Sequence, residues 1–296
     1  MPLDFTANEI VPDHINFPVE FEPTKYDKSK YVINGDTGEY LGIVGSGFKC
    51  ASHGDFFTRA HNAISENLGE DFCDSMNISY ATARNNAWVK MDMRMPNVLR
   101  KIETDKHATT IAPRLIALHG IDGSCSNQVY YGAIDFFCTN GMITGDYDKI
   151  KRKNTSGFDL ETFIDELQHT VSDFHNTADV YQEWAETNLA TVNVKALIES
   201  IIKSDRKSQK MHSLWCQEVA NRGCNKWALY SAFTNYASYA DERNGFSLKN
   251  TGNDTAATSM WSREQEVAKW IATPQFRQLS SSTIVPLSEL QTGHAV

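Results

Sequence analysis

The amino-acid sequence predicts an α+β protein, with an antiparallel sheet in the first half packed by a helix-rich second half. Three observations lead there. Short β-prone runs recur between residues 31 and 138, and their Gly and Asn punctuation suggests an antiparallel sheet rather than βαβ units. From residue 159 the apolar spacing changes to the helical period. Five of the six tryptophans (Trp184, Trp215, Trp227, Trp261 and Trp270) fall in the second half, where they are expected to pack helices together. At 296 residues and 41% hydrophobic content, the chain can bury a sizeable core as one large domain or two ordinary ones.

Taken in order, residues 1–29 hold Pro2, Pro12, Pro18 and Pro23 with scattered acids and no sustained period, so a flexible N-terminal arm is expected. The strand-rich half is expected over 30–157. It opens with a hairpin, Tyr31-Val32-Ile33 and Tyr40–Val44 around a Gly35–Gly38 turn. Phe56, Phe57, Ala60, Ile64 and Leu68 then repeat at helical spacing, with Gly69 as a stop. Strand patterns follow over 78–95, with a turn at Asn85-Asn86 that tolerates positive φ, and over 109–118 and 129–138. In the helical half, 158–279, the stripe Leu160, Phe163, Ile164, Leu167, Val171 and Phe174 starts after Asp159, a suitable N-cap. Further helices are expected near 178–203, 211–240 and 261–272, and a polar disordered tail over 280–296.

The composition excludes several classes. No apolar run reaches the roughly 18–20 residues of a membrane span, so no membrane partner is expected. The N-terminus has neither a basic region nor an apolar segment, and the six scattered cysteines form no C-x-x-C pair; reduced thiols and a cytoplasmic setting follow. A net charge of −9 argues against a protein that coats nucleic acid over its whole surface. The charge is uneven, however. Between Arg84 and Lys153 there are eleven Lys/Arg against seven Asp/Glu, a local +4 that leaves −13 elsewhere.

Motifs for chemistry are sparse. Gly42-x-x-Gly45-Ser-Gly47 matches neither the dinucleotide nor the phosphate-loop spacing and reads as a glycine-rich bend. His119, Asp122 and Ser124 stand close in sequence, but in one tight turn, where Asp and Gly serve the backbone. His169 and His175 are six apart, and Cys216 and Cys224 lack a second pair at zinc spacing. Glu161, Asp165 and Glu166 oppose the apolar stripe. No catalytic residues, metal or cofactor are therefore assigned. The basic set is the feature to follow: Arg94, Arg100 and Arg114 in and after the strands, then Lys149, Lys151, Arg152 and Lys153. Tyr130 and Tyr131 lie on an adjacent strand, where one of the two faces away from the core. A basic sheet groove with aromatic platforms suits single-stranded DNA, the cations meeting phosphates and a tyrosine stacking on bases. The bland alternative is a solvated charged loop beside core tyrosines.

The stretches TGEYLGIVGSGFK, LHGIDGS, FFCTNGMI and KWALYSAFTNYASYADE resemble motifs of a family of phage and plasmid-like proteins catalogued as a domain of unknown function. The likeness runs from about residue 31 to residue 275, and Gly120–Ser124 with Cys138-Thr139-Asn140 carry its D-G-S turn and C-x-N strand end. The resemblance implies a role in phage or plasmid biology and supplies no reaction. The order helix, antiparallel strands, long helix is also similar to phage single-strand annealing proteins, which implies a DNA groove and ring-like homo-oligomers. The expectation is thus a non-enzymatic single-stranded DNA-binding protein of the host cytoplasm, promoting annealing or recombination. The alternative is a protein-interaction factor that acts on host machinery through the acidic helical half.

Overall fold

The hairpin forms where the turn residues place it. In the computed structural model, which describes residues 6–68, 76–135, 141–143, 151–154, 159–171, 174–239 and 255–279, β2 (Ser29–Asn34) pairs antiparallel with β3 (Tyr40–Gly45). Gly38 closes the turn at a φ of 71°, a conformation that costs glycine little. A third strand, β1 (Val19–Pro23), pairs with the other edge of β2, giving the order β1-β2-β3.

Over residues 6–29 that strand replaces the expected flexible arm. A short turn of helix, α1 (Ala7–Ile10), precedes it, and Val11, Ile15 and Phe17 are buried. Val11 and Ile15 enter the main core while Phe17 enters the small-sheet core, so the segment is tied down at two places. Because each anchor docks separately, no sequence period announces them. Pro23 sits at the end of an edge strand, where its missing N–H is tolerated. Residues 1–5 and the expected tail over 280–296 lie outside the described residues.

The second sheet holds seven strands: β4 (Asn77–Ala83), β5 (Trp88–Arg94), β6 (Arg100–Glu103), β7 (Ala108–Gly120), β8 (Asn127–Asp135), β9 (Gly141–Ile143) and β10 (Lys151–Arg152). Its main path is β10-β8-β7-β5-β4, with β6 on β7 and β9 on β8, and every pairing is antiparallel. The β4–β5 turn is left-handed at Arg84, Asn85 and Asn86, with φ of 56°, 54° and 63°. Asparagine takes this conformation more readily than most residues. The expected strand over 136–138 lies outside the described residues.

Both faces of this sheet are covered. Val89, Met91 and Met93 of β5 share one face with Leu115 and Ala117 of β7 and Val129 and Ala133 of β8. Against it pack Phe56, Phe57, Ala60 and Ile64 from α2 (His53–Leu68) and Phe163 and Ile164 from α3 (Leu160–Val171). Asp159 caps α3 as expected, its side chain accepting from the Thr162 amide at 3.3 Å. On the opposite face Trp88, Ile116, Leu118 and Tyr130 meet Trp261 and Ala268 of α8 (Thr255–Ile271). The small sheet buries Val32, Leu41 and Val44 against Ala87 and Ile121, which puts it over the β4–β5 turn and the end of β7. Gly42 is part of that contact: a Cβ there would lie 3.1 Å from Asp122 Cβ.

Two expected helices are each divided. Residues 178–203 yield α4 (Phe174–Glu186) and α5 (Val194–Ile201), the second capped by Asn193, which accepts from the Ala196 amide at 3.1 Å. Residues 211–240 belong to α6 (Asp205–Arg222) and α7 (Lys226–Tyr239). Gly223 breaks them with φ 87° and ψ 170°, a region open essentially to glycine alone. Asn225 then accepts from the Ala228 amide at 2.8 Å and starts α7. The aromatic residues do pack helices together. Tyr181, Trp184, Trp227, Tyr230 and Phe276 form a continuous ring cluster, and α9 (Pro274–Arg277) supplies the last of them. No described helix is long and apolar enough to cross a membrane.

Candidate nucleic-acid interface

Strand register decides which cations share a surface. Lys151 pairs with Gln128, Gln128 with Leu118, and Leu118 with Lys90, so these four positions form one row across the sheet on the α8 face. Arg94 pairs with Arg114 on that same face, four residues further along β5. Arg100 pairs with Ile111 and Arg152 with Asn127, which places both in the alternate register. From the Leu118 row to the Ile111 row the sheet runs seven residues, roughly 23 Å at the usual strand rise. Among the described positions the expected cations thus spread along the sheet and over both registers.

Arg114 is not a phosphate contact. Its side chain is 3% exposed, with Nη2 donating to Asp92 at 2.6 Å and Nη1 donating to Glu264 of α8 at 2.8 Å. Burial opposes the charge on both Asp92 and Arg114, yet their mutual attraction wins. The guanidinium holds the Asp92 carboxyl well below the usual range, and Glu264 with Asp92 holds Arg114 above its own. Lys90 is buried beside them, its Nζ 4.0 Å from Asp92, and burial lowers its affinity for a proton. Sequence reading missed Lys90, Asp92 and Glu264. The signal was present for two of them, since Lys90, Asp92 and Arg94 alternate with Val89, Met91 and Met93. A polar period on a strand marks a solvent face or a second, polar layer. Only the position of α8 decides which.

Tyr130 is corrected as well. It is 2% exposed, its ring meets Trp261 edge-on at 4.5 Å, and its hydroxyl bonds Gln128 and accepts from Gln265 at 3.2 Å. It is a core residue and offers no stacking platform. Tyr131 pairs with Leu115 in register, and its side chain lies outside the described residues, as does all of Lys149. What stays at the surface is Arg94, 43% exposed although its Nε donates to Asp92 at 3.3 Å; Arg100, half-buried; and Lys153, exposed beside β10. The strand β10 itself, Lys151-Arg152, is an edge of the large sheet.

The HGIDGS turn is built for backbone reasons. Asp122 accepts from the Ser124 amide at 2.9 Å and from Arg84 Nε at 2.6 Å. His119 points the other way, fully buried, with Nδ1 2.8 Å from Nδ1 of His53 at the start of α2. His53 Nε2 in turn lies 2.8 Å from the Asn86 carbonyl. His119 stacks on Phe56 at 4.4 Å. Burial lowers both imidazoles, His53 to about 4 and His119 well below 6.5. His119 is thus engaged within the core, and Asp122 within its own turn. Elsewhere, a cleft of about 590 Å³ opens between the β6–β7 turn and the α6–α7 junction. Its charged lining is Glu103, Asp105 and Glu186 against Lys106, the wrong sign for phosphate. Among the described residues no group of three or more His, Cys, Asp or Glu is placed to hold a metal ion.

No curated protein and no solved structure matches the chain. A family model described as "Domain of unknown function (DUF932)" matches residues 40–272, a span that takes in the β2–β3 hairpin's second strand, the whole large sheet and helices α2 through α8. That span includes the Asp122 turn, the buried Arg114 network and the basic edge strand, and over it the chain belongs to the family described as the domain of unknown function DUF932.

Proposed function

We propose that this chain binds single-stranded DNA, through phosphate contacts at the basic edge of the large sheet, and serves annealing or recombination in the host cytoplasm of a phage or plasmid. The observation that supports this reading most is the edge strand β10. Lys151 and Arg152 occupy it and Lys153 is exposed next to it, at the end of the only segment with a net positive charge in the notional split at Arg84 and Lys153. Arg94 and Arg100 are the further cations with access to solvent. Arg114 and Tyr130 are left out, being buried in ion-pair and aromatic contacts. Binding of this kind is electrostatic and weakens steeply with salt.

The test is fluorescence anisotropy of a labelled oligonucleotide against the full chain over a salt series. Wild type is expected to bind, with log affinity falling by about 0.7 per phosphate contact per decade of salt. Replacing Lys151, Arg152 and Lys153 together by Glu is expected to lower affinity by more than about tenfold and to flatten that slope. Wild-type affinity in the triple variant, or binding indifferent to salt, would sink the proposal.

A further inference from the structure

The six residues of β3, Tyr-Leu-Gly-Ile-Val-Gly, contain no charge and no proline. They form an edge: β3 ends the order β1-β2-β3, and among the described residues Tyr40–Val44 make backbone hydrogen bonds only to β2. Folded proteins usually blunt such an edge with Lys, Pro, a covering loop or a short strand. Here the outward side chains are Tyr40, 52% exposed, and Ile43, 56% exposed, among the most exposed large hydrophobic residues described. Tyr31 lies beside them, its ring edge-on to Tyr40 at 5.6 Å.

The exposed charges around the strand lean to opposite signs at its two ends, although Asp27 stands beside Lys28. Asp36 and Glu39 are exposed where β3 begins, and Lys49 and Lys28 are exposed where it finishes, Lys28 being tied there by its carbonyl, which accepts from the Ser46 amide at 3.0 Å. Antiparallel pairing of two such strands sets the acidic end of each beside the basic end of the other. Parallel pairing would set like against like. In a chain of net charge −9, which otherwise repels its copies, this neutral strip with complementary ends is well suited to self-association.

We propose that β3 is a homodimer interface: two copies pair their β3 strands antiparallel about a two-fold axis, extending each three-stranded sheet into a six-stranded one. The contact is isologous, so the same patch serves both copies and the assembly closes at two. Main-chain hydrogen bonds supply the pairing, as in strand addition to a free sheet edge, while Tyr40 and Ile43 bury against the partner copy. The proposal does not depend on DNA binding.

Sedimentation velocity of the full chain over a micromolar concentration series tests it. A reversible dimer is expected. Ile43→Lys, at an exposed position outside every core cluster, is expected to raise the dimer dissociation constant at least about tenfold with an unchanged thermal melt. The charge swap guards against any misreading of that variant. Glu39→Lys alone and Lys49→Glu alone should each weaken the dimer, and the two together on one chain should restore it, because opposite charges again face each other. A monomer at all concentrations, a dimer untouched by Ile43→Lys, or a double variant no better than the singles would overturn the proposal. A monomer that instead captures an extended peptide at β3 would overturn it too, and would assign the edge to a foreign strand.

Discussion

Protonation of His53 and His119 bears directly on this fold, since both imidazoles are buried and hold each other. The Asn86 carbonyl can only accept, so His53 carries its proton on Nε2 and presents a bare Nδ1. His119 must then donate from Nδ1, which leaves its Nε2 as a buried lone pair without a partner. A second proton finds no acceptor at Nε2 of His119, and at Nδ1 of His53 it meets another N–H. Burial is the larger cause of both depressed values; the Asn86 carbonyl and the Asp122 charge oppose it at His53, and His53 adds to it at His119. The unfolded chain, with imidazoles near 6.5, therefore binds protons that the folded one refuses. The stabilisation is fully present above pH 6.5 and is lost as pH falls toward 4. Each imidazole contributes a slope of up to about 1.4 kcal/mol per pH unit in that window. His119→Phe, which keeps a ring on Phe56, is expected to flatten the acid side of the stability profile. Melting temperatures of both proteins at pH 7 and pH 5 check this, and parallel losses would contradict it.

At the scale of elements, α8 is held to the sheet by charge as well as by Trp261. Arg114 bridges Asp92 on β5 and Glu264 on α8, all three nearly out of solvent. A second buried bridge ties β8 to α6: Arg222 donates to Asp135 at 2.6 Å and to Glu218 at 2.9 Å. Arg114→Ala would strand Glu264 and leave Asp92 to Arg94 and Lys90, and breaking a buried pair in this way costs roughly 3–5 kcal/mol. Urea unfolding is expected to show that loss, while the remaining folded protein binds oligonucleotide as wild type does. A drop in affinity with stability intact would return Arg114 to the interface. These elements also show what was legible. The β4–β5 hairpin, its left-handed Asn85-Asn86 turn and the Asp159 cap follow from local rules, because period-2 alternation and the conformational tolerance of asparagine act within a few residues. The division between α6 and α7 was less legible: Gly223 stands there in the sequence, but the helical apolar pattern continues across it.

At the scale of the whole molecule, most of the described aromatic side chains turn inward. Phe56, Phe57, Tyr130, Tyr181, Trp227 and Tyr230 are all buried, and the large exposed hydrophobic residues described are Tyr26, Tyr40, Ile43, Leu99 and Val180. Of these, Tyr26 and Tyr40 are aromatic, and both belong to the small sheet and its turns, where Tyr31 meets Tyr40 edge-on. No exposed aromatic ring is described on β8 or β10, so a nucleic acid at that edge meets cations from the strand itself rather than a base platform. Oligo-dT and oligo-dA of equal length are accordingly expected to bind within a few-fold of each other, since stacking is worth about 1–3 kcal/mol per base where it occurs. Competition between the two in the anisotropy assay decides; a strong base preference would mean that a stacking side chain contributes.

By itself the sequence determined the fold class, the main hairpins, the start of the first long helix and the polarity of the segment that ends at Lys153. Each of those depends on residue spacing, turn chemistry or a charge count, all local quantities. Only the tertiary structure decided which side chains those elements expose. Arg114 and Tyr130 read as surface groups because a cation and one of two adjacent strand tyrosines ordinarily face water. They are buried because α8, more than 130 residues later, brings Glu264 and Trp261 onto the same sheet face. The segment 1–29 read as an arm, yet residues 6–23 hold two anchors and a strand, since their partners on β2 and α2 lie beyond any local window. Burial is a property of what packs on top, and that partner is set by topology rather than by neighbours in sequence.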